Sequence, residues 1–146
     1  MALLKEIIQW CDQTLKSHEF KDYAPNGLQI EGKFEVKKIL CAVTASQDAI
    51  EAAIEQNADL LLVHHGYFWK GEPYPITGMR GKRIKSLIQN DISLAGYHLP
   101  LDAHPILGNN AAIADILDLE NIEALDPNER HPIGNIAYLK QAMSPE

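Results

Sequence analysis

The sequence has little cysteine. Cys11 and Cys41 are its only two, and no CxxC occurs, so a disulfide framework is excluded. No apolar run approaches the roughly 20 residues that a membrane-spanning helix needs. The start, Met1-Ala2-Leu3-Leu4-Lys5-Glu6, turns charged at once and lacks the apolar stretch of a signal peptide. Basic residues are also short: Lys plus Arg is 13 against 20 for Asp plus Glu, giving a net charge of −7. That balance argues against a nucleic-acid partner, because neutralising phosphates takes clustered Lys and Arg. The densest basic stretch, Arg80 to Lys85, reads as one face of a short helix. No glycine loop has P-loop or dinucleotide spacing, no GxSxG surrounds Ser46, and there is neither an internal repeat nor a low-complexity tract. A soluble, reduced, cytoplasmic protein with no membrane partner is the expectation.

What is present is an ordinary globular mix, 46% hydrophobic and 23% charged over 146 residues, enough for a single domain with a sizeable core. Leu3, Leu4, Ile7, Ile8, Cys11 and Leu15 form one stripe of a helix over 3–15. The turn-rich patch Asp22-Tyr23-Ala24-Pro25-Asn26-Gly27 leads into a short strand, Leu28-Gln29-Ile30. Three apolar runs of strand length then follow, near 38–43, 59–63 and 92–97. Between them lie helical patterns, one with Ala49, Ile50, Ala53 and Ile54 inward, the next with Ile84, Leu87 and Ile88 inward. Thr44 with Gln47 offers a capping box for the first, and Asn109 or Asn110 caps a later helix carrying Ala112, Ile113, Ile116 and Leu117. Segments 121–125 and 134–139 read as further strands around the turn Asp126-Pro127-Asn128. Strands apolar on both faces, alternating with helices, predict an α/β fold: a layered, mainly parallel sheet with helices on both faces.

Six histidines carry the chemical interest. His64 and His65 follow the second apolar run directly. His98 follows the third, with Asp102 and His104 within six residues. In an open parallel sheet ligands bind beyond the carboxyl ends of the strands, so two strands deliver imidazoles and a carboxylate to one edge. That donor set suits Zn, Fe, Mn or Ni better than Ca. The spacing is neither HExxH nor a zinc finger. His18 and His131 read as ordinary surface histidines, and Cys11 and Cys41 as core residues. Tyr67, Phe68 and Trp69 crowd in straight after the doublet, either as packing under a long loop or as a stacking wall for a planar base.

These residues resemble a known family. Leu61 to Gly71, LLVHHGYFWKG, is similar to the signature of the Nif-three-like dinuclear metal-binding family, also called GTP cyclohydrolase type 2-like. Pro25 to Gly32, PNGLQIEG, resembles its amino-terminal signature, and Tyr97 to His104, YHLPLDAH, with Gly108-Asn109-Asn110, its second metal segment. The likeness covers roughly residues 3 to 140. It implies that His65 and Asp102 hold one divalent metal and His64 a second, with His98 close by; for a hydrolase, His98 is the best candidate for proton transfer. Imidazoles titrate near neutrality and suit that task. It also implies a homo-oligomer, a hexamer in the family, and a small-molecule, nucleotide-type substrate stacked by the aromatic segment.

The family draws its remaining ligands from an HxxxE arrangement, and this sequence contains none. The 146 residues are therefore expected to be a single α/β domain, the amino-terminal part of a longer architecture. Two readings result. One is a metal-dependent hydrolase in which two cations activate water. The other is a non-catalytic metal-binding or protein-interaction module.

Overall fold

A computed structural model describes residues 1–142. The chain gathers into two compact units, Met1–His98 and Leu99 onward, and each is described by itself.

The first unit contains β1 (Ala2–Leu3), α1 (Leu4–Leu15), β2 (Gly27–Ile30), β3 (Glu35–Val36), β4 (Ile39–Thr44), α2 (Gln47–Glu55), β5 (Leu60–His65), α3 (Gly78–Gln89) and β6 (Ser93–Gly96). Its four-stranded sheet has the order β2-β6-β5-β4. β4, β5 and β6 are parallel, with Cys41 opposite Leu62 and Leu62 opposite Ala95, while β2 closes the other edge antiparallel to β6. The expected α/β fold is therefore present, mainly parallel and built from the three apolar runs.

Alternation along the strands divides the apolar residues between two layers. Leu61, Val63 and Leu94 meet Ile50 and Ala53 of α2 and Ile84 and Leu87 of α3 in one core. Leu40 and Ala42 of β4 pack on the same core, so Cys41 faces the opposite layer. There α1 lies, with Leu4, Cys11 and Leu15 buried. The Tyr97 hydroxyl ties this layer to the sheet by donating to Asp12 Oδ1 at 3.0 Å. A small antiparallel ribbon, β1 with β3, fastens the start of α1.

Asp59 locks the amino ends of the strands. Its carboxylate accepts from Lys37 N at 2.9 Å and Lys38 N at 3.2 Å, and pairs with Lys33 Nζ at 2.8 Å. The lysine and the two amides hold its carboxyl down to about 2.

Four local expectations are corrected. Ser46, not Thr44, caps α2, accepting from Ala49 N at 3.1 Å, because Thr44 is still paired opposite His65 in the sheet. Cys41 is exposed, since β4 is an edge strand whose second face is left uncovered alongside Ile39 and Val43. Ile88 is 57% exposed, because α3 turns only Ile84 and Leu87 inward. The His64-His65 doublet lies within β5 rather than after it.

The second unit comprises α4 (Leu99–Ala103), α5 (Asn109–Ile116), β7 (Leu119–Ala124) and β8 (Asn135–Leu139), the two strands forming an antiparallel pair. Gly108 occupies the N-cap of α5, so neither asparagine caps it. Asn110 instead donates to Ile133 O and Asn135 Oδ1, fastening the helix to the chain beyond β7. No helix among the described residues is long and apolar enough to cross a membrane.

Candidate metal centre

Three imidazoles converge at the carboxyl end of β5 and β6. His64, His65 and His98 each offer a ring nitrogen, and these nitrogens lie within 4.8 Å of one another. The His64 ring centroid is 4.4 Å from that of His65 and 4.9 Å from that of His98. Neighbours in a strand normally point to opposite faces, but these two rings lie close together, each on a different support. His64 reaches the β6 side, where its Nδ1 donates to Tyr97 O at 2.9 Å. His65 leans to the β4 side, its Nδ1 at 3.2 Å from the hydroxyl of its register partner Thr44.

The contacts of His64 and His98 decide which nitrogen of each ring can coordinate. A carbonyl oxygen only accepts, so His64 Nδ1 carries a hydrogen and Nε2 carries the lone pair. His98 Nδ1 lies 3.0 Å from Asp22 Oδ1, and a carboxylate likewise accepts, so His98 too presents Nε2. Metal-bound histidines show this arrangement, with the far N–H held by a carbonyl or carboxylate. The donor set fits a divalent transition metal on chemistry alone.

The turn-rich patch and the strand after it explain how the edge is held together. Asp22 Oδ1 accepts from Ala24 N and its Oδ2 from Asn26 Nδ2, both at 3.0 Å. Asn26 Oδ1 accepts from His98 N at 2.8 Å, so one loop grips this histidine by backbone and ring together. Gln29 of β2 spans the next gap: its Oε1 accepts from Tyr67 N at 2.8 Å, and its Nε2 donates to Pro25 O at 2.8 Å. Two glycines leave room for that amide, and a side chain at either would displace it. A Cβ at Gly66 would meet Gln29 Oε1 at 2.1 Å, and one at Gly96 would meet Gln29 Nε2 at 2.9 Å.

Aromatic rings wall the imidazoles. Trp69 stands edge-on to His98 with centroids 5.0 Å apart, Tyr23 does the same at 5.1 Å, and Trp69 lies 5.9 Å from His65. Of the aromatic trio, Trp69 is thus beside the histidines. Tyr67 is in the core, 7% exposed, with its hydroxyl donating to Ala45 O, and burial pushes that hydroxyl's pKa up. Phe68 is 38% exposed at a positive φ of 65°.

A family model described as Duf34/NIF3 (NGG1p interacting factor 3) matches residues 2–146. The chain belongs to the NIF3 family. Among curated proteins it is 62% identical over 121 residues to a "GTP cyclohydrolase 1 type 2 homolog" of Haemophilus influenzae, covering 83% of this chain and 48% of that one. A protein of the same name from Pseudomonas aeruginosa is 46% identical over 142 residues, 97% of this chain and 56% of the relative. The chain thus spans about half the length of the curated relatives it matches. A solved structure from Thermus thermophilus aligns with TM-score 0.80 at 40% identity, over 86% of this chain and 52% of that one. Reduced HcgD from Methanocaldococcus jannaschii aligns with TM-score 0.76 at 31% identity, over 87% and 51%.

Asp102 lies in the second unit, in α4, where its Oδ1 accepts from Asn109 Nδ2 at 2.7 Å. His104 Nδ1 accepts from Ile106 N and Leu107 N and so closes its own turn. His18 has a largely exposed side chain at 77%. Sequence reading missed Asp22 and Tyr23. Asp22 was visible only as a turn residue, and nothing in the spacing of 22 and 98 announces a contact across 76 positions.

Proposed function

We propose that the chain binds a divalent transition-metal ion, Zn, Fe, Mn or Ni, at the carboxyl edge of its sheet, with His64 and His65 as ligands. The observation that carries this is the convergence of three imidazole nitrogens within 4.8 Å, with two rings turned by their hydrogen bonds to present Nε2. The family resemblance adds Asp102 as a ligand and a second metal as an expectation. A bound divalent cation supplies Lewis acidity and lowers the pKa of water. The chain's own contribution is to hold the imidazoles in register and to offer Trp69 as a wall beside them. The relatives' name suggests the finer reading, hydrolysis of a nucleotide-type substrate, as the activity of the longer family architecture.

A non-catalytic metal-binding module is the second reading. It is favoured by one observation: the three imidazoles converge within residues 1–98.

Zinc and manganese content of the purified, metal-reconstituted protein tests the reading, followed by GTP turnover with product analysis. About one tightly held ion or more per chain is expected, lost in His64→Ala and His65→Ala. Asp102→Ala tests the added ligand in the same assay. Metal content unchanged in all three variants would refute the assignment. Retention of metal without turnover would favour the module.

A further inference from the structure

We propose that Gln29 is a positioning residue: its side-chain amide sets one peptide plane and, through it, holds the Trp69 ring beside the imidazoles. The ring walls the site proposed above, so its use toward a ligand rests on that reading.

Both groups of a single peptide are engaged. The peptide between Gly66 and Tyr67 donates its N–H to Gln29 Oε1 at 2.8 Å, and its carbonyl accepts from Trp69 Nε1 at 3.0 Å. A trans peptide is rigid and planar, with N–H and C=O pointing opposite ways. Whatever fixes the N–H therefore fixes where the carbonyl meets the indole. Gly66 has no side chain to resist rotation of this plane, so the restraint comes from a partner. That partner is Gln29.

The position demands an amide. Pro25 O can only accept and Tyr67 N can only donate, so the side chain between them needs one donor and one acceptor. Gln29 Nε2 donates to Pro25 O at 2.8 Å while Oε1 takes Tyr67 N. Glutamate would lose the first contact, and methionine would lose both. Gly66 and Gly96 make the room, since a Cβ there would come 2.1 Å from Oε1 or 2.9 Å from Nε2. Glycine weakens a strand, and its place at the ends of β5 and β6 marks the close approach of another group.

The backbone beside this plane is strained. Phe68 is an aromatic residue at a φ of 65°, which persists only where the surroundings over-determine it. Tyr67 N is held by Gln29 on one side, and Trp69 N by Glu72 Oε2 at 3.2 Å on the other. Lys70 N donates to Tyr23 O at 2.7 Å and anchors the chain just beyond. The Trp69 ring is thereby placed 5.0 Å from His98 and 5.6 Å from Tyr23 between centroids. With Lys70 anchored by its own bond, losing Gln29 frees the peptide plane and the indole rather than the whole loop.

The test uses a Trp10→Phe background, which leaves Trp69 as the sole tryptophan and changes a side chain that is 62% exposed. Near-ultraviolet circular dichroism of the indole reads whether the ring is fixed. Cobalt(II) reads its place, because bound cobalt quenches an indole steeply with distance, and cobalt content is measured alongside. Gln29→Met keeps the length of the side chain and neither hydrogen bond. Gly66→Ala displaces the amide and leaves Gln29 itself in the sequence. Each should cut the indole band at least about twofold and lower the quenching per bound cobalt. A merely structural Gln29 would lower the urea midpoint and leave the band and the quenching per ion at parent values. That result, in either folded variant, overturns the proposal. If neither variant folds, hydrogen exchange in the parent decides. Free exchange at the Tyr67 amide or the Trp69 indole N–H overturns the proposal, and strong protection at both upholds it. A parent that takes up no cobalt sinks the metal reading, while loss of the band in Gln29→Met still upholds this role. A cobalt-binding parent whose band survives Gln29→Met sinks this proposal alone.

Discussion

In the first unit Ile50, Leu60, Leu61, Leu87 and Leu94 are wholly buried, whereas in the second Ile106, Ile113 and Ile116 stand 77%, 53% and 82% exposed. Among the described residues beyond His98 only Pro100, Gly108 and Ala114 are buried. The two units have similar apolar text but opposite outcomes. The first closes a parallel sheet between helical layers and buries its inner strands, β5 and β6, on both faces. The second has two short helices and a two-stranded pair, which offer too few surfaces to cover its own isoleucines. The lesson for function is that the imidazole cluster sits on the unit with the rigid core. Its ring nitrogens are thus carried by packed elements.

That contrast is broken most directly in the first unit. Leu61 is 0% exposed and lies in the core between the sheet, α2 and α3. Leu61→Ala removes three buried carbons and leaves a cavity, so a loss of about 2–5 kcal/mol is expected. Tryptophan fluorescence in urea measures it cleanly, because both tryptophans, Trp10 and Trp69, belong to the first unit. An unchanged midpoint would mean that the sheet core does not carry this unit's stability.

The next largest effect comes from the amino ends of the strands. Asp59→Asn keeps the shape but removes the charge that holds Lys33 Nζ and the amides of Lys37 and Lys38. A loss of about 1–3 kcal/mol is expected near neutral pH. The pH dependence has a definite sign. Because the folded carboxyl is depressed from 3.8 to about 2, its contribution is complete above pH 3.8 and fades as pH falls toward 2. The parent should therefore weaken across that window relative to Asp59→Asn, and their denaturation midpoints should converge. Parallel pH curves for the two proteins would show that Asp59 is not the titrating group.

The same contrast explains what the sequence made legible. Unbroken runs such as Leu60 to Val63 announce parallel strands because burial on both faces leaves no polar position, so the sheet could be read in advance. The placement of His64 and His65 at a strand end followed from that alone. Capping was less legible. Thr44 and Ser46 are both good cap residues, and the choice between them depends on where pairing with His65 stops, which is a tertiary fact. Cys41 illustrates the same limit: an apolar run does not say whether its strand will be central or at an edge. Asp22 was hidden for a different reason. A carboxylate in a turn satisfies the local pattern by capping Ala24 N, and its long-range contact to His98 leaves no periodic trace.

The smallest effect belongs to the second unit. Ile116 is 82% exposed at the end of α5, so its methyls already meet water. Isoleucine and serine have nearly equal helix propensity, and Ile116→Ser therefore changes little in the isolated chain. A shift within about 0.5 kcal/mol is expected from urea unfolding followed by far-ultraviolet ellipticity. The dilution series matters as much as the midpoint. An exposed isoleucine that stays in water gives the same answer at every protein concentration. A loss well above that range, growing as the protein is concentrated, would show that another surface covers α5 in solution, because only an associating system makes stability depend on concentration. The contrast between the two units would then be a property of the single chain and not of its assembled form.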